Sequence, residues 1–83
     1  MNHPLSGDLD RITFDPRVMG GRACIRGMRI TVALVVSLVA NGMTPEEIRE
    51  EYPLLEPEDI RQALQYAAVL ADEELYPLSV ANL

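Results

Sequence analysis

The chain has no lysine, one histidine and one cysteine among its 83 residues, and each scarcity removes a class of function. Cys24 alone closes no internal disulfide and brings no second thiol to a zinc site, so the expected compartment is reducing, the cytoplasm. His3, the only histidine, stands three residues from the N-terminus, and no Ser, Cys or Asp has a base near it in sequence. Metal-ligand spacings are absent as well. Without lysine, Gly20, Gly21 and Gly27 cannot belong to a phosphate loop ending G-K-[ST], and their spacing also misses G-x-G-x-x-G. The longest apolar run, "VALVVSLVA", is far shorter than the ~20 residues a membrane span needs. "MNHPLSGDLDR" lacks the basic-then-apolar pattern of an export signal. The expectation is a protein that is no enzyme, holds no cofactor or metal and enters no membrane.

What is present is an ordinary globular composition, 48% hydrophobic and 24% charged. A chain of this length makes one domain with a thin core, which a partner would help to stabilise. Its net charge of −6 is unevenly spread. Five arginines against three aspartates leave residues 1–43 at +2, whereas two arginines against ten acids leave residues 44–83 at −8. All seven cations are arginine, suited to planar, bidentate contact with carboxylate or phosphate.

The local signals divide the chain into a polar lead-in (1–11), a folded unit (12–74) and an apolar tail (75–83). "RITF" reads as a short strand before the Asp15-Pro16 turn. "RACIRGMRIT" reads as a β-hairpin turning at Arg26-Gly27, with Ile25 opposite Met28, Cys24 opposite Arg29 and Ala23 opposite Ile30. That register places Ala23, Ile25, Met28 and Ile30 on an inner face and Arg22, Cys24, Arg29 and Thr31 on an outer one. "TVALVVSLVANG" predicts a helix capped by Thr31 and closed at Asn41-Gly42. It is apolar almost all round, so it must be covered on several sides, by its own domain or by a partner.

"MTPEEIREEY" carries a complete start signal: Thr44 as cap, Pro45 at the first helical position, Glu47 closing a capping box and Met43 placed to staple onto Ile48. A short helix over 45–51 follows. Pro57 opens another after a Glu56 cap, with a possible Leu55-to-Ile60 staple, running to about Ala71 or a little beyond. Its apolar stripe is Ile60, Ala63, Leu64, Ala67 and Ala71, leaving Glu58, Arg61, Gln62, Gln65 and Asp72 outward.

These elements end in a helix-turn-helix order, whose last helix would be offered to the major groove. Arg61, Gln62 and Gln65 have the chemistry to read base edges. Glu58 and Asp59, at the end that would enter the groove, oppose the phosphates. Arg17, Arg22, Arg26 and Arg29 are better placed for a phosphate backbone. Val69 with Leu75, Tyr76, Leu78 and Val80 in the tail is the expected partner surface.

Gly20-Gly21, "IRGMRI", Ala40 to Gly42, the Thr-Pro-Glu-Glu cap, Tyr52-Pro53 and the helix from Glu58-Asp59-Ile60 to Tyr66-Ala67-Ala68 together resemble a small bacterial family, domain of unknown function 433. The resemblance runs from Ile12 to about Glu74. The chain departs from the family pattern at Ala23, Met28 and Glu56, where proline, threonine and a threonine cap are common. The resemblance implies a mainly α, homeodomain-like three-helix bundle with a helix-turn-helix, preceded by a short N-terminal β-hairpin. It also implies an antitoxin role beside a PIN-like ribonuclease toxin, and brings no catalytic residues. The expectation is a homodimeric antitoxin of a type II toxin-antitoxin system that binds its toxin and represses its own operon through operator DNA. A protein-interaction module that binds no DNA is the competing reading.

Overall fold

Why Ile25 is completely buried while Arg26 beside it reaches solvent follows from a two-residue turn at the centre of the fold. The computed structural model describes the backbone of residues 9–81 and the side chains of residues 9–71. In it, the Met28 N–H donates to the Ile25 carbonyl at 2.8 Å across Arg26 and Gly27, whose φ angles are +47° and +73°. A turn with both central residues at positive φ matches strand twist, and glycine supplies one of the two without strain.

The strands around this turn differ from the predicted hairpin. Strand β1 (Ile12–Thr13) pairs antiparallel with β2 (Cys24–Ile25), Ile12 opposite Ile25 and Thr13 opposite Cys24. On the other side of β2 a single bridge joins Cys24 to Thr31, and the Ile25 N–H donates to Ile30 rather than to Met28. The returning segment therefore lies two residues further on than the sequence register, which set Cys24 against Arg29. The demand of the next helix accounts for the slip, because Thr31 must stand beside β2 with its hydroxyl free to accept the Leu34 N–H at 3.0 Å. A second correction follows. Cys24 and Thr31, assigned to the outer face, are 1% and 8% exposed, Thr31 being drawn against Cys24 by the bridge and turned inward to cap the next helix.

Helix α1 (Val32–Ala40) starts at that Thr31 cap and ends with the Gly42 N–H on Val39. Helix α2 (Pro45–Glu51) has the full predicted box: the Glu47 N–H donates to Thr44 Oγ1 at 3.1 Å and the Thr44 N–H to Glu47 Oε1 at 2.9 Å. Helix α3 (Pro57–Ala81) is longer than the sequence indicated. Ala71-Asp72-Glu73-Glu74-Leu75 contains good helix formers and no stop signal, so the helix runs past Ala71. The stretch from residue 75, read as a tail, is helical in backbone to Ala81. The architecture is mainly helical, three helices and a short two-stranded antiparallel sheet near the N-terminus.

The core collects one or two apolar residues from every element: Ile12, Ile25, Val32, Val35, Ile48, Leu55, Ile60 and Ala63. The residues of both staples reach this core: Leu55, Ile60 and Ile48 are buried in it and Met43 packs against it. Helix α1 buries only Val32 and Val35, so most of its apolar surface stays partly open.

Candidate functional site

The start of α3 is held by a buried carboxylate. Asp59 is fully buried, and its oxygens receive five hydrogen bonds from three parts of the chain. Arg26, projected by the positive-φ turn, donates from Nε to Oδ1 and Oδ2 at 3.0 and 3.2 Å and from its terminal nitrogen to Oδ2 at 2.8 Å. Arg11, just before β1, donates to Oδ1 at 3.0 Å and also reaches Glu56 at 2.6 Å. The Glu56 N–H donates to Asp59 Oδ2 at 2.8 Å, so Asp59 closes the reciprocal half of a capping box that Glu56 cannot supply by itself. Arg26 also donates to the Leu54 carbonyl at 2.8 Å, fastening the α2–α3 turn.

Burial pushes the Asp59 carboxyl up, but the hydrogen bonds from Arg26, the Glu56 N–H and Arg11 outweigh it and hold the group below its ordinary value. The two guanidiniums are raised in return, Arg11 by its bonds to Glu56 and Asp59 and Arg26 by its bonds to Asp59. Bonding to Arg61 and then to Gln62 lowers Glu58 to about 2. Arg17 likewise lowers Asp15. These are carboxylates with depressed folded values, so their stabilisation is complete above the unfolded values of 3.8 and 4.5 and is lost as pH falls through the folded ones. Urea titrations followed by circular dichroism are therefore expected to give a constant midpoint from pH 7 to about 5, then a steep fall toward pH 2.

This cluster takes up two residues assigned by sequence to DNA. Arg26 is bound to Asp59 inside the chain. Gln62 is 2% exposed, accepts the Arg11 N–H at 2.9 Å and donates to Asp10 and Glu58 at 2.9 Å each. The buried stripe of α3 is thus turned relative to the apolar pattern: Asp59 and Gln62 lie inward under the β1 segment, and Leu64 is 37% exposed. Arg61 stays on the exposed side, paired with Glu58. Gln65 is half-buried, and its Oε1 is enclosed with no hydrogen-bond partner among the described residues.

The ribbon arginines fare differently. Arg17 is 89% exposed at its side chain and pairs with Asp15. Arg22 and Arg29 are exposed, and among the described residues neither has a carboxylate in ion-pair range. On α2, Glu46, Glu50 and Glu51 are exposed and equally without a cation. These exposed charges are thus not neutralised by ion pairs among the described residues, and Arg49, on α2 with the glutamates, donates to the Leu55 carbonyl instead.

Between α1 and α3 lies an open groove of about 620 Å³, walled by Ala33 and Val36 on one side and Tyr66, Ala67 and Leu70 on the other, with Arg22 at its edge. Phe14 leans on Tyr66 with ring centres 5.8 Å apart, at a tilt favourable to their quadrupoles. Phe14 and Leu70 remain 57% and 52% exposed, large values for apolar side chains on one small domain. Of the residues expected to meet a partner, Val69 is half-buried, and the side chains of Leu75, Tyr76, Leu78 and Val80 lie outside the described residues. Among the described residues no cluster of His, Cys, Asp or Glu is arranged for a metal, and no helix is long and apolar enough to cross a membrane.

Compared with known proteins, residues 12–67 match the family described as "Protein of unknown function (DUF433)". The chain belongs to the DUF433 family. The matched span of this DUF433 domain begins at β1 and ends within α3, so it takes in Asp59, Arg26 and Glu56, stops one residue short of Arg11, and covers most of the groove. A relative, "Uncharacterized protein y4eO" of Sinorhizobium fredii (strain NBRC 101917 / NGR234), is 39% identical over 56 residues, covering 68% of this chain. The DUF433 chain spans 25% of that relative's length. No solved structure matches this chain.

Proposed function

We propose that this domain is an antitoxin of a type II toxin-antitoxin system, which binds a PIN-like ribonuclease toxin and, as a repressor, the operator DNA of its own operon. The observation that carries the reading is a set of exposed charges of both signs, unpaired among the described residues. Arg22 and Arg29 present unneutralised guanidiniums on the ribbon, while Glu46, Glu50 and Glu51 present unneutralised carboxylates on α2. Two surfaces of opposite sign suit two partners of opposite sign: a phosphate backbone, and a nuclease that must itself be basic where it holds RNA. In this reading α2 and α3 form a homeodomain-like helix-turn-helix. The domain meets DNA through Arg17, Arg22 and Arg29, with Arg61 and Gln65 the side chains of α3 nearest to base edges.

A second reading, an interaction module that leaves DNA alone, draws support from the capture of Arg26 and Gln62 inside the fold. A gel-shift titration against the DNA upstream of the coding sequence, repeated across salt, separates the two. A repressor should lose affinity steeply with salt, and replacing Arg17, Arg22 and Arg29 by alanine should reduce the log–log slope by about 1 per contact removed. Relief of growth arrest when the neighbouring PIN-like protein is co-expressed tests the toxin half. Relief without a gel shift at low salt favours the second reading, and neither relief nor shift overturns both.

A further inference from the structure

We infer, on the reading that the domain meets DNA, that Glu58 is an internal stand-in for a phosphate, holding the guanidinium of Arg61 until a duplex displaces it. The first ground is the form of the pair. Arg61 donates from Nε to Glu58 Oε1 at 2.8 Å and from a terminal nitrogen to Oε2. That two-bond fork is the one an arginine offers to a phosphate, or to O6 and N7 of guanine. Glu58 therefore occupies donors that α3 would bring to DNA, and one fork cannot serve both.

The second ground is that Glu58 is fixed from the inner side of the helix. The buried Gln62 amide donates to Glu58 Oε2 at 2.9 Å, and Gln62 is itself set by Asp10 and the Arg11 N–H at 2.9 Å each. When Arg61 leaves, the carboxylate thus stays at the start of α3, where it opposes an approaching phosphate. The third ground is the balance of that first turn. Asp59 is matched by Arg26 and Arg11, and Glu56 by Arg11. Arg61 on Glu58 completes the set, so turning Arg61 toward a duplex leaves one carboxylate unmatched. The pairs differ in how easily they open. Asp59 is fully buried, whereas Arg61 and Glu58 are 43% and 38% exposed at their side chains, and an exposed pair is readily broken. Glu58 thereby acts as a gate that lowers affinity rather than a lock that abolishes it.

Fluorescence anisotropy of the full chain with a duplex of the upstream DNA, at about 50 mM salt, tests the inference. Glu58→Gln keeps the size of the side chain and an acceptor for Gln62 but loses the charge, and it should bind at least ~5-fold tighter than the parent. In an Arg61→Gln background the same substitution should gain less than about 2-fold, because Glu58 acts through Arg61. Circular dichroism checks that each variant is folded, and Glu58→Ala, which suits a helix, repeats the measurement with no amide in place of the carboxylate. Binding by the Glu58 variants where the parent does not bind is the gate in its strongest form. A parent that binds, with no gain in either Glu58 variant, overturns the inference and leaves the DNA reading in place. So does an equal gain in the Arg61→Gln background, which reduces Glu58 to simple repulsion. No binding by parent or variants overturns the DNA reading and the inference together.

Discussion

Asp59→Ala is expected to cost about 3–5 kcal/mol, the range for removing one partner of a buried charge pair. The loss has three parts. Arg26 is left against the fold with no carboxylate for its Nε and terminal nitrogen. Arg11 keeps only Glu56. The Glu56 N–H, one of the unpaired donors at the start of α3, loses its acceptor. A domain of this length commands roughly 4–12 kcal/mol in total, so the substitution removes a large share of it. Urea unfolding at pH 7, followed by helical circular dichroism, measures the change. Asp59→Asn, which retains shape and an acceptor but not the charge, should fall between alanine and the parent. It should also weaken the acid-induced loss of stability, since the carboxylate with the most partners no longer titrates. Glu50→Ala is the control, because its side chain is exposed and has no ion pair among the described residues, so it should move stability by less than about 1 kcal/mol. A loss below about 1 kcal/mol for Asp59→Ala would mean that the cluster follows the fold rather than holding it.

How far the sequence revealed this design can be read residue by residue. Helix α2 was legible to the residue, because proline, the capping box and the staple are local signals satisfied within four positions of one another. The turn at Arg26-Gly27 was legible for the same reason, since positive φ has few sequence solutions. The register beyond it was not, because Thr31 answers to α1 rather than to the strand opposite. Asp59 looked like an acidic residue in a first helical turn, which is where the helix dipole places many solvated carboxylates. Only the closure of a 33-residue separation puts Arg26 on it, and no periodicity encodes that.

The same long-range closure explains the misread face of α3. Apolar spacing favoured Leu64 inside and Gln62 outside, a reasonable inference while burial is governed by hydrophobicity alone. Gln62 goes inside because its amide finds both an acceptor and a donor at the β1 segment, Asp10 and the Arg11 N–H. A polar side chain with its bonds satisfied is cheap to bury. The apolar character of α1 was legible, but what covers it is not encoded within the folded unit: only Val32 and Val35 are buried, and Val36 opens on the groove.

Ile48→Ala is expected to cost about 3 kcal/mol, within the 2–5 kcal/mol typical of a fully buried isoleucine, and to act first on α2. The reason is that Ile48 is the only buried residue of that helix. Seven residues are too few to hold a helix in water on hydrogen bonds alone, even with a good cap, so the docking of one side chain into the core decides whether α2 persists. The capping box at Thr44 is local and survives the substitution in principle, yet it stabilises a start with nothing to anchor it. Hydrogen exchange distinguishes this from a uniform weakening. The amides of α2 should lose protection well before those of α1 and of α3 up to Leu70, because Val35, Ile60 and Ala63 still pack on Ile25 and Val32 in the remaining core. Ile48→Val should cost only about 0.5–1.5 kcal/mol and leave the pattern of protection unchanged. If α2 protection instead falls in step with every other helix, the domain is one cooperative unit. In that case the acidic surface on α2 could not be loosened without unfolding the groove and the arginine ribbon with it.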